Sequence, residues 1–474
     1  MTVQTVIVLA AGEGTRMRSE TPKVLHSVAG RSLLGHVLHA VDHLHPTEIR
    51  IVVGSGREAV EAHIAEISPK ATTVFQEHRG GTGHAAQLAL AGLSPQGTVL
   101  VLAGDTPLLT GDSLVQFVAA HKAGKFTASV LTAEHPEPTG YGRIIRDDSD
   151  ELLRIVEEKD ATEDEKVIYE INSGVYAFEG EKLVAAIGQL TNGNAQGELY
   201  LTDVIGILKS AGESIAAVII DDFTETLGVN DRVQLAESAA VLRDRINEQW
   251  MRAGVTIVDP TTTWIDVTVE IAQDVTLHPG SALFGSTKVA TGAVIGPRST
   301  LADCLVQQGA RVLESIATQT VIGVGATVGP FTYLRSGTKL GDATKAGAFV
   351  EMKNAIVGNG SKIPHLSYVG DATIGEGTNI GAATIFVNYD GIEKHHTTVG
   401  DQVRIGSDTM LVAPVNIGDG AYTAAGSVIT EDVPAGAIGV GRAKQRNVLD
   451  WVLRKRPGSK SAQAAEASPH RNKH

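Results

Sequence analysis

The sequence predicts two unlike halves, an α/β domain with a largely parallel sheet followed by a parallel β-helix of six-residue repeats. Strand-like and helix-like runs alternate over the first 230 residues, and apolar residues recur at six-residue steps in the C-terminal half. A helical segment without Gly or Pro separates the two patterns. The 474 residues are enough for two or three domains with their own cores.

The segment 1–230 is predicted to be the α/β domain. Its strand candidates are Thr5–Leu9, Ile49–Val53, Thr98–Leu102 and Ala128–Leu131, each followed by a polar or Gly-containing loop. Such alternation is typical of a parallel sheet covered by helices, where ligands bind at the carboxyl ends of the strands. We therefore expect the chemistry of this domain in the loops that follow its strands.

The segment 231–253 is predicted to be a linker helix. No Gly or Pro occurs between Asp231 and Arg252, and apolar residues recur at three- and four-residue steps: Leu235, Ala239, Leu242, Ile246 and Trp250. A helix of about 22 residues would be ~33 Å long. We expect it to act as a rod between two independent domains.

The segment 254–453 is predicted to be the β-helix. One run of residues at six-residue steps extends from Ile322 to Met352 and a second from Val399 to Ala435, and Gly follows many of them. Neither a helix nor an ordinary strand has this period. One residue of each hexad points inward, and Gly tolerates the tight corners of the coil. The segment 454–474 has no periodicity and is expected to be disordered.

Composition limits the partners and the location of the protein. The net charge of −14 argues against nucleic acid or an anionic membrane as the main partner. The single cysteine, Cys304, excludes an intramolecular disulfide and suits a reducing compartment. No apolar run approaches the ~20 residues that span a bilayer. We expect a soluble cytoplasmic protein.

The first predicted strand leads into a Gly-rich loop with cations beside it. Gly12 and Gly14 follow the strand, and Arg16 and Lys23 come soon after. Exposed backbone N–H groups can cradle phosphates, and two cations suit a triphosphate and its pyrophosphate leaving group. Asp105 follows another strand, where a carboxylate can hold Mg²⁺ beside substrate phosphates. Taken singly, each residue also fits an ordinary turn or a helix cap.

Charged side chains interrupt the hexads of the C-terminal half. Arg335 and Lys353 each follow an inward residue and lie three hexads apart, so they share one face and could clamp a phosphate. His365 lies among these hexads, and an inserted loop, 388–396, breaks the repeat. Insertions in solenoids often help to form binding surfaces. We assign no metal to His395 and His396 of this loop.

These motifs, with Gln76, Gly81–Ala85 and Pro107–Leu108, resemble the sugar-1-phosphate nucleotidylyltransferases. The likeness is to the bifunctional members that also transfer an acetyl group, and it extends from about residue 3 to about residue 448. It implies a Rossmann-like nucleotidyltransferase domain and a left-handed β-helix acetyltransferase domain. It also implies a homotrimer and a product, UDP-N-acetylglucosamine, that feeds peptidoglycan and other cell-envelope synthesis.

For the N-terminal half, the resemblance implies uridylyl transfer from UTP to N-acetylglucosamine 1-phosphate with release of pyrophosphate. Arg16 and Lys23 would be catalytic, and Asp105 and Asn230 would hold Mg²⁺. The residues implied to bind UDP-N-acetylglucosamine are Leu9, Ala10, Ala11, Gly12, Lys23, Gln76, Gly81, Thr82, Ala103, Gly104, Asp105, Gly142, Glu157, Asn172 and Asn230.

For the C-terminal half, the resemblance implies acetyl transfer from acetyl-CoA to glucosamine 1-phosphate. His365 would be the general base, and Glu351 is the candidate that orients it. The sugar phosphate would contact Arg335, Lys353, Tyr368, Asn379 and Lys394. Acetyl-CoA would contact Ala382, Asn388, Tyr389, Ser407, Ala425 and Arg442.

Two segments depart from the family pattern, Ile363–Pro364 before His365 and Ala383–Phe386 before the loop. Two alternatives to a bifunctional enzyme were considered. A nucleotidylyltransferase with a passive β-helix would have no use for His365, Lys394 and the 388–396 loop. A non-catalytic scaffold would not need Arg16, Lys23, Asp105 and Asn230 together.

Overall fold

The structure, a computed structural model, describes residues 3–469. The chain forms two compact units, Met1–Gly309 and Ala310–His474. The first contains an α/β domain, a long helix and the first strands of a β-helix, and the second contains β-helix strands and two short helices. The division therefore falls within the six-residue repeats.

Nine strands of the described residues form the sheet of the α/β domain, and two further strands form a small hairpin. In chain order the strands are β1 (Thr5–Ala10), β2 (Ser27–Val28), β3 (Arg31–Ser32), β4 (Glu48–Val53), β5 (Thr72–Phe75), β6 (Thr98–Ala103), β7 (Ala128–Glu134), β8 (Arg143–Arg146), β9 (Leu152–Val156), β10 (Glu170–Glu179) and β11 (Ile215–Ile219). The sheet order is β11-β7-β10-β6-β1-β4-β5, and β8–β9 is a hairpin beside β10. β10 is antiparallel to β6 and β7, whereas β1 is parallel to β4 and β6. All four predicted strands are confirmed.

Helices cover both faces of this sheet. They are α1 (Leu33–Asp42), α2 (Arg57–Ile67), α3 (Gly81–Leu90), α4 (Gly111–Ala123), α5 (Glu163–Lys166), α6 (Gly180–Ile187), α7 (Asp203–Ser210) and α8 (Arg232–Arg252). Side chains of α1, α2 and α4 fill one core, and those of α3, α6 and α7 fill the other. Since side chains alternate along a strand, β1 sends Val6 and Val8 into the first core and Ile7 into the second.

The carboxyl ends of β1 and β6 lie side by side, which brings their loops together. Leu9 is in register with Ala103, and Gly104 N donates to Leu9 O at 2.9 Å. The loop before α8 joins them, because Val229 N donates to Asp105 O at 2.9 Å. This edge of the sheet is where the sequence predicts ligand binding.

The long helix α8 confirms the predicted linker helix but not its role as a free rod. Its residues Leu242 and Ile246 are buried within the first unit. Asn247 Nδ2 donates to the carbonyls of Pro260 and Thr263, at 2.9 and 3.0 Å. Arg245 Nη1 donates to Leu108 O at 2.7 Å, in the loop that follows Asp105. The C-terminal half of the helix is thus fixed to two neighbouring loops.

The repeats form the predicted left-handed parallel β-helix. Short strands pair in parallel with a strand three hexads later, as Trp264 does with Ala282 in the first unit and Tyr333 with Glu351 in the second. Inward residues such as Ile322 and Met352 are fully buried. One coil is therefore three hexads, and its interior is a column of stacked apolar side chains.

The β-helix strands are two to seven residues long. In the first unit they are Thr256–Ile257, Trp264–Ile265, Glu270–Ile271, Thr276–Leu277, Ala282–Phe284, Lys288–Val289, Val294–Ile295, Thr300–Ala302 and Leu305–Val306. In the second they are Arg311–Val312, Ile316–Thr318, Val321–Ile322, Thr327–Val328, Tyr333–Leu334, Lys339–Leu340, Lys345–Ala348, Glu351–Val357, Lys362–His365, Tyr368–Ile374, Asn379–Ile380, Ile385–Val387, Thr397–Val399, Arg404–Ile405, Met410–Val412, Val415–Ile417, Tyr422–Thr423, Val428–Ile429 and Ile438–Gly439.

The C-terminal segment differs from the expected disordered tail. Two short helices lie in this segment, α9 (Trp451–Lys455) and α10 (Lys460–Glu466). The side chain of Ala462 in α10 is buried. Residues 470–474 lie outside the described part of the chain. Over residues 3–469, no helix combines the length and the apolar character needed to cross a membrane.

Candidate functional site

A cavity of about 380 Å³ opens at the carboxyl edge of the α/β sheet. Most of the predicted nucleotide-site residues line it: Leu9, Ala10, Ala11, Gly12, Lys23, Gln76, Gly81, Thr82, Ala103, Asp105, Glu157 and Asn172. The residues come from segments far apart in sequence, and the sheet brings their loops to one edge. This size and position suit a small-molecule ligand.

Lys23 and Asp105 line this cavity, and Asn230 lies within hydrogen-bond distance of Lys23. Lys23 Nζ forms an ion pair with the Asp105 carboxylate and donates to Asn230 Oδ1 at 3.2 Å. A carboxylate oxygen and an amide oxygen therefore converge on one cationic group. This donor set fits Mg²⁺, which prefers oxygen ligands and completes its shell with phosphates and water. The described residues contain no cluster of three or more His, Cys, Asp or Glu suited to a metal.

Glu157 and Asn172 line one side of the cavity, and Gly142 is buried next to them. Asn172 N donates to Gly142 O at 2.9 Å, and a Cβ on Gly142 would lie 3.5 Å from Glu157 Oε2. Burial raises the pKa of Glu157, although a hydrogen bond from Thr202 Oγ1 at 3.2 Å lowers it in part. The missing side chain at Gly142 leaves these polar groups accessible to a ligand.

The amide of Asn172 has a fixed orientation. Its Oδ1 accepts a hydrogen bond from Gly174 N at 3.0 Å, and its Nδ2 donates to Tyr176 Oη at 2.7 Å. Tyr176 is buried and lines the same cavity, and burial raises its pKa. The second N–H of Asn172 Nδ2 is therefore left for a ligand.

The loop from Gln76 to Thr82 is held by hydrogen bonds. Gln76 Nε2 donates to Gly81 O at 3.2 Å, and Leu201 N donates to Thr82 Oγ1 at 3.1 Å. Gly81 has φ +90°, and a Cβ there would lie 2.5 Å from Leu199 O. Only glycine fits this position, so the loop keeps its path along the cavity.

The remaining predicted residues of this half occupy different places. Gly104 supports the cavity through its bond to Leu9, and Arg16 is exposed on the turn Thr15–Met17, apart from the lining residues. Sequence reasoning missed several lining residues: Arg79, Tyr176, Glu198, Leu201 and Thr202. Glu198, Leu201 and Thr202 follow no predicted strand, and tertiary packing alone brings them here.

In the second unit, three cations lie together on one face of the β-helix. Arg335 N donates to Met352 O at 2.8 Å, which places Arg335 beside Lys353 on the next coil. The positive charge of the nearby Lys394, and to a lesser degree that of Arg335, lowers the pKa of Lys353. The carboxylate of Asp371 raises this pKa in part. Mutual repulsion of this kind is relieved by an anion, so the cluster fits the predicted phosphate clamp.

Tyr368 and Asn388 lie next to this cluster, above a glycine. A Cβ on Gly370 would be 2.4 Å from Tyr368 Oη and 2.6 Å from Asn388 Nδ2. Asn388 Nδ2 donates to Asp371 Oδ2 at 2.5 Å. Burial would raise the pKa of Asp371, but hydrogen bonds from Asn354 and Asn388, with Lys394 nearby, hold it below its ordinary value. Asp371 is a residue of this site that the sequence did not reveal.

His365 and three predicted acetyl-CoA residues share one position in successive coils. Ala383 N donates to His365 O, Asp408 N to Ala382 O, and Gly426 N to Ser407 O. The neighbouring register, Ala348 with His365 and Ile380 with Ile405, is consistent with this column. His365, Ala382, Ser407 and Ala425 thus form a line along one corner of the β-helix, and Arg442 Cδ lies near Gly426.

Other predicted residues of this half lie outside the cation cluster and the line of His365, Ala382, Ser407 and Ala425, or form ion pairs of their own. Asn379 is half-buried, and Tyr389 is exposed with its Oη bonded to Gly391 O at 2.7 Å. Glu351 forms an ion pair with Arg335 at 2.9 Å, so its carboxylate is directed to the cation cluster. In the inserted loop, His395 pairs with Asp390 at 2.7 Å, and this hydrogen bond lowers the pKa of Asp390.

The two departures from the family pattern are buried. Ile363 and Phe386 are fully enclosed and fill inward positions of their coils. Larger apolar side chains at these positions change the packing inside the β-helix and leave the outer face to polar residues.

Comparison with known proteins gives consistent matches in both halves. A family described as the MobA-like NTP transferase domain matches residues 6–169, and one described as the bacterial transferase hexapeptide (six repeats) matches residues 396–431. A protein of Streptomyces avermitilis named bifunctional protein GlmU is 56% identical over 98% of this chain and 97% of its own length. Proteins of the same name from Rhodococcus opacus and Corynebacterium efficiens are 54% and 53% identical over 99% and 98% of this chain, and 96% of their own lengths.

Proposed function

The chain belongs to the GlmU family of bifunctional proteins, and from this membership we propose how its two halves divide two reactions. It is a bifunctional enzyme with uridylyltransferase and acetyltransferase activities. We assign the first activity to residues 1–230 and the second to residues 254–453, joined by the linker helix 231–253. The observation that carries this proposal is that Lys23, which lines a cavity of the right size together with Asp105, contacts both Asp105 and Asn230.

In uridylyl transfer, a phosphate oxygen of N-acetylglucosamine 1-phosphate attacks the α-phosphorus of UTP, and pyrophosphate leaves. No side-chain nucleophile is needed, because positioning and charge neutralisation account for catalysis. Asn172, Glu157 and Gly142 are assigned to the sugar, and Gln76, Gly81 and Thr82 to the nucleotide. Lys23 and Arg16 are assigned to the charge that develops during transfer.

We assign Mg²⁺ to Asp105 and Asn230, supported by the convergence of their oxygens on the Lys23 ammonium. When bound, this ion would neutralise phosphate charge and orient the phosphate oxygens. Because the ion would take the place of the Lys23 ammonium at Asp105, Lys23 would then turn to the nearby phosphates.

In acetyl transfer, the amine of glucosamine 1-phosphate attacks the thioester carbon of acetyl-CoA. His365 takes the amine proton, the C–S bond breaks, and the protonated imidazole returns a proton to the sulfur, so that CoA leaves as its thiol. The cations Arg335, Lys353 and Lys394 are assigned to the phosphate. The line of Ala382, Ser407 and Ala425, with Arg442, Asn388 and Tyr389, is assigned to acetyl-CoA.

We further propose a cytoplasmic homotrimer. UTP and acetyl-CoA are cytoplasmic metabolites, which supports the location.

Three large apolar side chains, Phe331, Phe349 and Leu366, are more than half exposed near His365, and the two phenyl rings stack at 5.2 Å. Exposed apolar patches of this kind mark protein interfaces, and hexapeptide β-helices can meet along such a face.

A pair of variants tests the assignment of both sites in the full chain. Pyrophosphate release from UTP and N-acetylglucosamine 1-phosphate, and CoA release from acetyl-CoA and glucosamine 1-phosphate, are measured separately. Asp105→Ala should abolish pyrophosphate release and leave CoA release near wild type. His365→Ala should lower CoA release by roughly 10²–10⁴-fold and leave pyrophosphate release near wild type.

Matched controls are Asp148→Ala, an exposed aspartate between β8 and β9, and His396→Ala in the inserted loop. Both should retain the two activities. Equal loss of both activities in either test variant, or acetyl transfer within a few-fold of wild type in His365→Ala, would contradict the assignment.

A further inference from the structure

The nucleotide cavity has two cationic side chains among the described residues that line it, Lys23 and Arg79. Lys23 forms an ion pair with Asp105 and donates a hydrogen bond to Asn230. Arg79 instead forms an ion pair with Glu13, in the Gly-rich loop after β1. Since UTP carries several negative charges and the lining includes the carboxylates of Glu157 and Glu198, a second cation at this wall is needed for the phosphates.

Both ends of the Arg79–Glu13 pair rest on fixed backbone. Leu199 N donates to Gly80 O at 2.7 Å, directly after Arg79. On the other side, Gly14 has φ +63°, and a Cβ there would lie 2.5 Å from Lys23 Cβ. The loop that contains Glu13 therefore lies against the stem of Lys23, and Arg79 and Lys23 both line the cavity.

The pair is exposed enough to exchange partners. The side chain of Arg79 is 60% exposed and that of Glu13 is 37% exposed. Ion pairs in such positions contribute little to the stability of a protein, because solvent screens them. A guanidinium binds phosphate through two parallel hydrogen bonds, so a triphosphate is a stronger partner than a single exposed carboxylate.

We propose that Arg79 binds the triphosphate of the incoming nucleotide, and that Glu13 holds its guanidinium at the mouth of the cavity until the nucleotide arrives. The inference rests on the proposed uridylyl transfer. Glu13 keeps the guanidinium close to the cavity and is displaced when the phosphates enter. Arg79 is thus a binding residue for UTP and makes no contact with the sugar.

Steady-state kinetics of pyrophosphate release test this in the full-length enzyme. Arg79→Gln should raise KM for UTP by about fivefold to tenfold, the loss of one charge-assisted contact, with kcat and KM for the sugar phosphate within about twofold. Glu13→Gln should leave KM for UTP equal or lower, because it removes the competing carboxylate. The double variant should match Arg79→Gln. The effect should shrink in high salt.

Arg57→Gln is the matched control, because Arg57 pairs with Glu61 at 2.9 Å on α2 and does not line the cavity. It should behave as wild type. KM for UTP within twofold of wild type in Arg79→Gln would overturn the inference. So would a rise in Glu13→Gln as large as that in Arg79→Gln, which would mean that the pair is only structural. Absence of pyrophosphate release in the wild type would instead refute the proposed function.

Discussion

Asn172 illustrates how a buried neighbour fixes the direction of a binding group. Its amide accepts from Gly174 and donates to Tyr176, so the oxygen and nitrogen ends cannot exchange. An unconstrained Asn would present either end to a sugar hydroxyl. Through its hydrogen bond to Asn172, Tyr176 is therefore a positioning residue for the proposed sugar side of the cavity.

Replacing Tyr176 with Phe should weaken sugar binding selectively. The change removes one hydrogen bond of about 1 kcal/mol and releases the Asn172 amide. We expect KM for N-acetylglucosamine 1-phosphate to rise about fivefold, with KM for UTP unchanged, in assays of pyrophosphate release. Tyr333→Phe in the second unit is the control and should change neither constant. Equal rises in both constants would indicate a general structural role.

The sequence predicted residues that belong to compact motifs. The loop from Leu9 to Gly12, Gly81–Thr82 and Asp105 follow strands, and the structure places them in one cavity. Arg79, Tyr176 and Asp371 carry no such pattern, because their place in a site depends on the folding of distant loops. Glu351 was expected beside His365, yet adjacent coils place it against Arg335.

At the scale of elements, α8 shows that a sequence pattern can locate a helix without predicting what the helix packs against. The absence of Gly and Pro located it well, and the structure begins it at Arg232, after the Asp231 cap. Its packing was not visible, because its apolar stripe is thin and polar groups fix it. Arg245 and Asn247 bond to loops on both sides. Uridylyl transfer is therefore not expected to be independent of this helix.

Two buried histidines should make the α/β domain sensitive to acid. His36 of α1 bonds to Val28 O at 2.8 Å and His121 of α4 to Ser129 Oγ at 2.9 Å, and burial is the main cause that lowers each pKa to about 4. A histidine whose pKa is lowered in the folded state contributes stability above its ordinary value of about 6.5 and loses it as pH falls toward 4.

For His36, the loss at pH 5 is about 2 kcal/mol. Thermal unfolding of the full chain should therefore occur at a lower temperature at pH 5 than at pH 7. His36→Gln, which keeps a donor for Val28, should show a smaller difference between the two pH values. The same difference in wild type and variant would contradict the role of His36.

At the scale of the whole molecule, the repeat made the β-helix predictable over its length. A period of six appears in the sequence because each inward residue meets the same environment. The division between Gly309 and Ala310 could not be predicted, since the repeats continue unbroken there. The helices α9 and α10 were missed because, at five and seven residues, they are too short to show a helical period.

The proposed trimer can be tested by measuring the molecular mass of the protein in solution. Light scattering should give three times the chain mass of 49.6 kDa. Phe349→Glu places a charge in the exposed apolar patch and should shift the protein toward smaller species, with loss of acetyl transfer and little change in pyrophosphate release. Ile219→Glu, on an exposed side chain of the first unit, should remain trimeric. A wild-type mass of one chain would refute the trimer.

The column of His365, Ala382, Ser407 and Ala425 has a geometric consequence. Adjacent strands lie about 4.8 Å apart, so three steps span about 14 Å. The number of coils between His365 and Ala425 therefore sets a fixed distance along this corner of the β-helix. A thioester anchored near Arg442, as proposed for acetyl-CoA, should bring its acyl carbon to His365 only if its arm matches that length. Shorter thioesters should fall short of the base however reactive they are.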